Sequence, residues 1–403
     1  MQDTSGAAGY LNELSFTDRF HRELAPSWLN YVAMLNDFQP QPLLQPFTYL
    51  DLGCGFAQST LINAAALPHA EFHACDFNAA HIEAAKAVAE RMEVSNVRFH
   101  ACSFADLLND SSVPTFDFIV LHGIYSWVDA DVISTVHALV SKLLRPGGFL
   151  YLSYNCYPGW AAEEPLRKLM NELARVKSGD MTEKVQWSLQ EARSLGTPSF
   201  RYFRENAGLQ DALESLARDP VNYVAHEFFN ETWTLHYSVD VLDAMEGLGL
   251  TYMGSATLAD NHPMLTLDPQ AAERIRALPT PRLRHLAEDF AVNRRFRRDV
   301  FVRGAPASGQ GGQGKLIDDA LIGLVPGKET LNTRVEIPRG RLSFQQPFID
   351  DLQSLLAGGP LRLGDILSRL GRSARSAAEI RQNLLFLVAA GALMPFSRTR
   401  SER

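Results

Sequence analysis

The chain has little with which to build covalent or metal cross-links. Its four cysteines, Cys54, Cys75, Cys102 and Cys156, stand far apart, and no C-x-x-C pair occurs. That spacing excludes a zinc ribbon or a redox dithiol and leaves small buried residues near strand ends as the reading. Positive charge is also short: 38 Lys and Arg face 46 Asp and Glu, for a formal net charge of −8. Such a balance argues against a chain that coats nucleic acid or anionic lipid. The longest apolar run, Leu384 to Phe396, falls well below the roughly 20 residues that span a bilayer. The opening MQDTSGAAGY has neither a basic start nor an apolar core, so a cytoplasmic protein with no membrane partner is expected. What is present is ordinary for a globular protein: 46% hydrophobic and 21% charged residues over 403 positions, enough for two or three folding units.

The stretch that organises the rest is FTYLDLGCGFAQST, residues 47–60. Phe47, Tyr49, Leu50 and Leu52 read as a buried strand, Gly53 and Gly55 bend the chain, and a helix restarts near Ser59. A strand, turn and helix in that order aim backbone N–H groups and a positive helix end at a ligand, and glycine lets the backbone approach it. A dinucleotide site wants G-x-G-x-x-G, whereas the third position after Gly55 is Gln58. Asp51 instead lies on the strand, as in the E/D-x-G-x-G-x-G motif of the class I S-adenosylmethionine-dependent methyltransferases, which this stretch resembles. Ala57 replaces the last glycine, and its methyl is expected to crowd the cofactor's methionine end.

From Phe47 to Asn155 strands and helices alternate, the signature of a parallel sheet covered on both faces. Strands are expected at 47–52, 71–76, 97–102, 116–122 and 148–154, with helices at 58–66, 79–92, 104–109 and 130–144. A helical lead-in precedes them, with Pro26 at a helix start. Residues 161–235 read as helical, and 248–257 and 297–304 as two further strands around a helix at 282–293. The small polar stretch 305–314 reads as a linker. Beyond it, helices at 345–356, 361–370 and 376–391 and a strand at 392–396 suit a small winged-helix-like unit. The divisions expected are 1–45, 46–160, 161–304, 305–314 and 315–403.

Asp76 ends the second strand 21 positions after Gly55, where a carboxylate accepts both protons of a ribose diol. The competing reading is a helix N-cap, a role Asn78 also suits. Ser103 and Phe104 follow the third strand as an adenine platform, against a core reading for the ring. Strands four and five end in HGIYSWV and SYNCYPGW, whose polar and aromatic residues belong at the reaction centre of an open parallel sheet. Aromatic rings there suit a sulfonium methyl donor. His122 is the candidate base, weighed against a packed histidine bonded to its surroundings, with Tyr125, Tyr154 and Asn155 completing the catalytic set.

HGIYSWV, RPGGFLYLSYNCYPGW, YVAHEFFNETW and FAVNRRFRRDVFVRG, with the opening FTDRFHRELAP, resemble the bacterial methyltransferases that carry a methyltransferase regulatory domain. The likeness runs in order over residues 10–304, and these relatives include rickettsial protein-lysine methyltransferases. It implies an α/β class I fold, a doubly wound seven-stranded sheet of order 3-2-1-4-5-7-6, with helical insert and C-terminal unit. It implies S-adenosylmethionine as cofactor, leaving as S-adenosylhomocysteine, held by Asp51, Gly53, Gly55, Asp76, Ser103 and Phe104. Tyr10, Ala57, Phe77, Asn78, His122 and Gly123 complete the expected contacts. The implied reaction is methyl transfer to a nitrogen, a protein lysine in the leading reading. A small molecule or surface-glycan precursor as acceptor, or a regulator contacting DNA or protein, are the alternatives.

No metal is expected. H-E-x-x-N-E, from His226 through Glu227 to Glu231, lacks the second histidine of a zinc helix. Arg294, Arg295, Arg297 and Arg298 are expected to pair with nearby acids rather than bind phosphate. Residues 361–403 hold eight arginines against three acids. Their best helix, QNLLFLVAAGAL, is too apolar for a DNA groove, which favours protein contact or packing in a homodimer.

Overall fold

A computed structural model describes residues 20–230, 232–304, 316–328, 330–371 and 376–398. Tyr10 and the 305–314 stretch lie outside the described residues, as do Glu231, Arg372, Arg375, Arg400 and Arg403.

Pro26 opens helix α1 (Pro26–Leu35), where its missing N–H costs no hydrogen bond. Trp28, Leu29, Tyr31 and Val32 of α1 are buried. The Trp28 indole N–H donates to Ala256 O at 2.8 Å and the Tyr49 hydroxyl to Leu24 O at 2.9 Å, so the lead-in is fastened to the sheet at two points.

Strands and helices then alternate as the hydrophobic pattern dictates: β1 (Thr48–Leu52), α2 (Gln58–Ala66), β2 (Glu71–Asp76), α3 (Ala79–Arg91), β3 (Val97–Ala101) and α4 (Phe104–Asn109). β4 (Phe116–Leu121), α5 (Ala130–Leu143) and β5 (Leu144–Asn155) follow. The strand expected from 148 starts at Leu144, because Leu144 pairs with Phe116 ahead of a register shift across the Pro146-Gly147 bend. Five helices are inserted next: α6 (Glu164–Val176), α7 (Met181–Leu195), α8 (Arg201–Glu205), α9 (Gly208–Leu216) and α10 (Val221–Phe228). They bury a core of their own around Leu166, Met170, Val185, Leu213 and Phe228.

The chain returns through α11 (Ser238–Gly247), β6 (Leu250–Ser255), α12 (Pro263–Thr266), α13 (Pro269–Arg276), α14 (Pro281–Ala291) and β7 (Phe296–Arg303). The seven-stranded sheet has the order β3-β2-β1-β4-β5-β7-β6. β1 to β5 are parallel, while β7 runs antiparallel to both neighbours. Chain direction across the sheet reverses between β1 and β4, which opens a crevice at their carboxyl ends.

Beyond residue 315 come β8 (Leu321–Leu324), the hairpin β9 (Arg334–Ile337) and β10 (Gly340–Ser343), then α15 (Gln346–Leu356), β11 (Leu361–Arg362), α16 (Leu363–Leu370), α17 (Ala377–Ala389) and β12 (Leu393–Phe396). β8, β9 and β10, four residues each, were not among the strands expected from the sequence. Ile380, Leu384, Leu387 and Val388 of α17 are fully buried in a core shared with α1, Met253 and Leu258. The apolar helix expected to meet a partner or a second copy is therefore spent inside the chain. Among the described residues no helix is long and apolar enough to cross a membrane.

Candidate active site

The turn after β1 is bound edge-on to β2: Gly53 and Cys54 both donate N–H bonds to Cys75 O, at 2.8 and 3.0 Å. Asp76 Oδ2 accepts from Gly55 N at 2.9 Å and its Oδ1 from Asn78 N at 2.9 Å. One carboxylate thus joins the glycine turn to the start of α3. An ionised carboxylate has about four acceptor positions; with His81 Nδ1 also 3.6 Å from Oδ1, Oδ2 is the freer oxygen for a ligand.

The glycines show why the motif takes that form. Gly53 has φ +76°, and a Cβ there would lie 2.5 Å from Ile124 Cδ1. Gly55 has φ +54° and open space where its Cβ would be, a cradle for a ligand's backbone approach. Ala57 also holds a left-handed φ of +52°, at a cost of roughly 1–2 kcal/mol for a residue with a Cβ. The pattern's glycine at this position answers to that backbone conformation. The expected crowding does not occur. The Ala57 methyl is buried against Leu61, Ala74 and Ala85, behind the turn, and is not part of the cavity wall.

A cavity of about 830 Å³ lies over the strand ends. Its first half is walled by Asp51, Gly53, Gly55, Asp76, Phe77 and the Ser103-Phe104 pair. Ser103 also forms a capping box with Asp106, which orients α4. Asn78 is not in the wall; its side chain accepts from Ala80 N at 3.0 Å and caps α3. His122 and Gly123 lie at the end of β4, where Gly123 N donates to Ser153 Oγ at 2.9 Å. The second half is enclosed by Trp127, Asn155, Trp160, Asp219, Glu227 and Phe296, brought together from the loop after β4, the end of β5 and the loop after it, the insert and β7.

The profile of the family described as "Methyltransferase domain" matches residues 45–202, and that of "Predicted methyltransferase regulatory domain" matches residues 220–303. The uncharacterized protein sll1526 of Synechocystis is 33% identical over 358 residues, covering 89% of this chain and 71% of that one. The uncharacterized protein RP028 of Rickettsia prowazekii is 31% identical over 218 residues, 53% of this chain and 84% of that one. Among solved structures, PKMT2 from Rickettsia typhi in complex with AdoHcy superposes with a TM-score of 0.74 at 22% identity, covering 95% of this chain and 78% of that one. The chain belongs to the methyltransferases with a regulatory domain. It is an S-adenosylmethionine-dependent enzyme of class I fold.

In this methyltransferase two expected catalytic residues point elsewhere. Tyr154 is buried, and its hydroxyl donates to Asp299 Oδ2 at 2.5 Å on the face of β5 that packs against α5 and α11. Tyr125 is also buried, with its hydroxyl bonded to His137 Nε2 at 3.0 Å. Neither contributes to the cavity wall. Strand side chains alternate between faces, so of the neighbours Tyr154 and Asn155 only Asn155 can face the ligand.

His122 does reach the cavity, but as a packed histidine. Its Nδ1 lies 2.8 Å from the Tyr151 hydroxyl, and its ring centroid lies 4.1 Å from that of His21, the two rings tilted by 40°. Burial, with His21 and Arg298 nearby, holds its pKa well below the usual histidine range. An imidazole so weakly basic is a poor acceptor for an ammonium proton.

The residues that sequence spacing did not connect to this site come from the regulatory region. Glu227 was grouped only with a metal-like pattern, yet it lines the cavity half-buried beside the Asn155 amide. Burial pushes its carboxyl up to about 7, against the lowering pull of Arg295, Arg167 and the Asn155 hydrogen bond. The arginine run resolves as expected for three members. Arg294 pairs with Asp260 at 2.6 Å, Arg295 with Glu163, and Arg297 with Asp289 and Asp299. Arg298 instead donates to Thr257 at 3.0 Å and lines the cavity. Among the described residues, no three His, Cys, Asp or Glu side chains are grouped to hold a metal ion.

Asp51 is buried, accepts from Thr60 Oγ1 at 2.6 Å, and has its pKa pushed up to about 7 by burial, with Thr60 opposing and Asp76 adding to the shift. An acid whose pKa rises on folding stabilises the fold fully below its unfolded value and loses that contribution as pH climbs through the folded value. The window here is from about 4, the ordinary carboxyl value, to about 7. Asp51→Asn in the cofactor-free enzyme is therefore expected to raise the melting temperature by several degrees at pH 8 and not at pH 4. Melting curves at the two pH values check this; equal shifts at both would mean that the ionised carboxylate carries no penalty.

Proposed function

We propose that the enzyme methylates a nitrogen, and that the acceptor is a lysine side chain of a protein. The cofactor supplies an activated methyl group when bound. Asp76 would hold its ribose hydroxyls, Phe77, Ser103 and Phe104 its adenine, Gly53 and Gly55 the approach of its methionine portion, and Asp51 the underside of the turn. His122 and Gly123 would close the cavity beside it.

One observation carries the acceptor reading: beyond the cofactor residues the cavity is lined by aromatic rings, with the carboxylates of Asp219 and Glu227 set into its wall alongside Arg298 and the Glu163-paired Arg295. Trp127, Trp160 and Phe296 suit an aliphatic stem and a cationic head, whereas a neutral or anionic acceptor would gain nothing from the acids. The fold shared with PKMT2 of Rickettsia typhi is consistent with this reading. Methyl transfer is an in-line displacement, so the protein's task is to align a deprotonated amine with the methyl carbon and keep water out.

Incubation of the enzyme with methyl-labelled cofactor and bacterial lysate is expected to place label in protein, recovered after hydrolysis as methylated lysine. Label confined to low-mass material would transfer the assignment to a small-molecule acceptor.

A further inference from the structure

The segment matched as regulatory is built into the reaction chamber. α10, from that segment, and α9, which precedes it, line the cavity over the ends of β4 and β5, and α10 turns Glu227 toward Asn155, the last residue of β5. We propose that Glu227 is the general base of the reaction, taking a proton from a primary ammonium acceptor bound in the half of the cavity formed by the insert. This rests on the nitrogen reading above and names the group that makes the nitrogen reactive.

The groups around Glu227 fit that role. The carboxylate that acts on it, Glu163, is already committed: both oxygens accept from Arg295, whose guanidinium lies 4.0 Å over the Trp160 ring. Arg167, from α6, is likewise committed, donating to Asn230 O and lying 4.6 Å over the Trp233 ring. Tyr223, on α10 itself, stands one helical turn before Glu227 at the cavity wall. Glu227 thus faces Arg167, Arg295, Glu163 and Tyr223, with the Asn155 amide as its hydrogen-bond donor. The two cations keep a carboxylate tolerable there, while burial makes it basic. Its pKa near 7 matches the range in which general bases work best, and His122, past the end of β4, is too weakly basic to compete.

The proton balance closes on residues of this chain. The ammonium gives one proton to the Glu227 carboxylate and becomes a neutral amine. The nitrogen lone pair forms a bond to the methyl carbon as the carbon–sulfur bond breaks, and the bonding pair stays on sulfur as a neutral thioether. The product leaves as a methylated ammonium, and the Glu227 carboxyl returns its proton to solvent.

The test uses the full-length enzyme with poly-L-lysine as acceptor, comparing wild type, Glu227→Gln and Glu227→Asp. Wild-type kcat/KM is expected to rise with pH through an inflection near 7, and Glu227→Gln to lose both that inflection and roughly 100-fold or more in rate. Glu227→Asp should recover part of the rate together with the inflection. Two measurements independent of turnover keep a folding defect apart: calorimetric binding of S-adenosylhomocysteine should stay within about twofold of wild type, and binding of n-butylammonium at pH 8 should weaken roughly tenfold in Glu227→Gln, as expected on removing a paired charge. A Glu227→Gln enzyme that methylates poly-L-lysine at the wild-type rate with the wild-type pH profile overturns the base and leaves the nitrogen reading standing. A wild type that binds S-adenosylhomocysteine yet neither methylates poly-L-lysine nor binds n-butylammonium overturns both.

Discussion

Replacing Arg297 with methionine is expected to lower folding stability by about 3–5 kcal/mol, the cost of breaking a buried ion pair from one side. Arg297 is 6% exposed and lies between Asp289 and Asp299, neither of which reaches solvent. Its Nη1 is 2.5 Å from Asp289 Oδ1 and its Nε is 3.0 Å from Asp299 Oδ2. The remaining acceptor capacity is also used: the Ser238 hydroxyl donates to Asp289 at 2.6 Å and the Tyr154 hydroxyl to Asp299 at 2.5 Å. One guanidinium therefore ties β7 to α14, and through the two aspartates to α11 and β5. Without it, two carboxylates face each other in an apolar interior, with only Arg294 at 3.5 Å from Asp289 to compensate. Methionine fills the space, so cavity formation is a minor part of the loss. Urea denaturation with wild type in parallel measures it; a change below about 1 kcal/mol would show that the pair is no better than a surface one.

Asp76→Ala is expected to weaken S-adenosylhomocysteine binding at least tenfold, equivalent to about 1.4 kcal/mol. Bonds to a ribose diol of the kind proposed for Asp76 would be charge-assisted, at roughly 1.5–3 kcal/mol each. The carboxylate also organises its own protein: removing it frees Gly55 N and Asn78 N, which it holds at 2.9 Å each. The first loss falls on the ligand and the second on the glycine turn and the start of α3, both at the cavity wall where Asp76 ends its strand. Titration calorimetry on wild type and variant, with melting curves beside it, decides the matter. Unchanged affinity would remove Asp76 from the cofactor site, and an equal fall in melting temperature and affinity would make its role structural.

The glycine-turn wall of the cavity could be read from the chain because its parts are local. A strand, a turn that requires positive φ at Gly53 and Gly55, and a helix start occupy fewer than twenty consecutive positions, and backbone sterics alone restrict what such a stretch can form. Asp76 and Ser103 follow by the same logic, one ending β2 and the other capping the helix after β3, in a βαβ series whose handedness and adjacency are nearly obligatory. The apolar periodicity that placed α2 at 58–66 and α4 at 104–109 was likewise a property of neighbouring residues.

The acceptor half obeyed no such local rule. Tyr154 and Asn155 are consecutive, both chemically suited to a reaction centre, and the pleat sends one into the core and the other into the cavity. Nothing in their order says which; the pairing of β5 with β7 does. Glu227 stands 72 positions beyond Asn155 and reaches it because five inserted helices pack on their own core and return the chain over the strand ends. Local sequence was therefore sufficient to specify the chemistry of the cofactor loop, where the backbone itself forms the site. The arrangement around the acceptor depended on long-range packing, since side chains distant along the chain meet only after the apolar faces of sheet and insert have been buried.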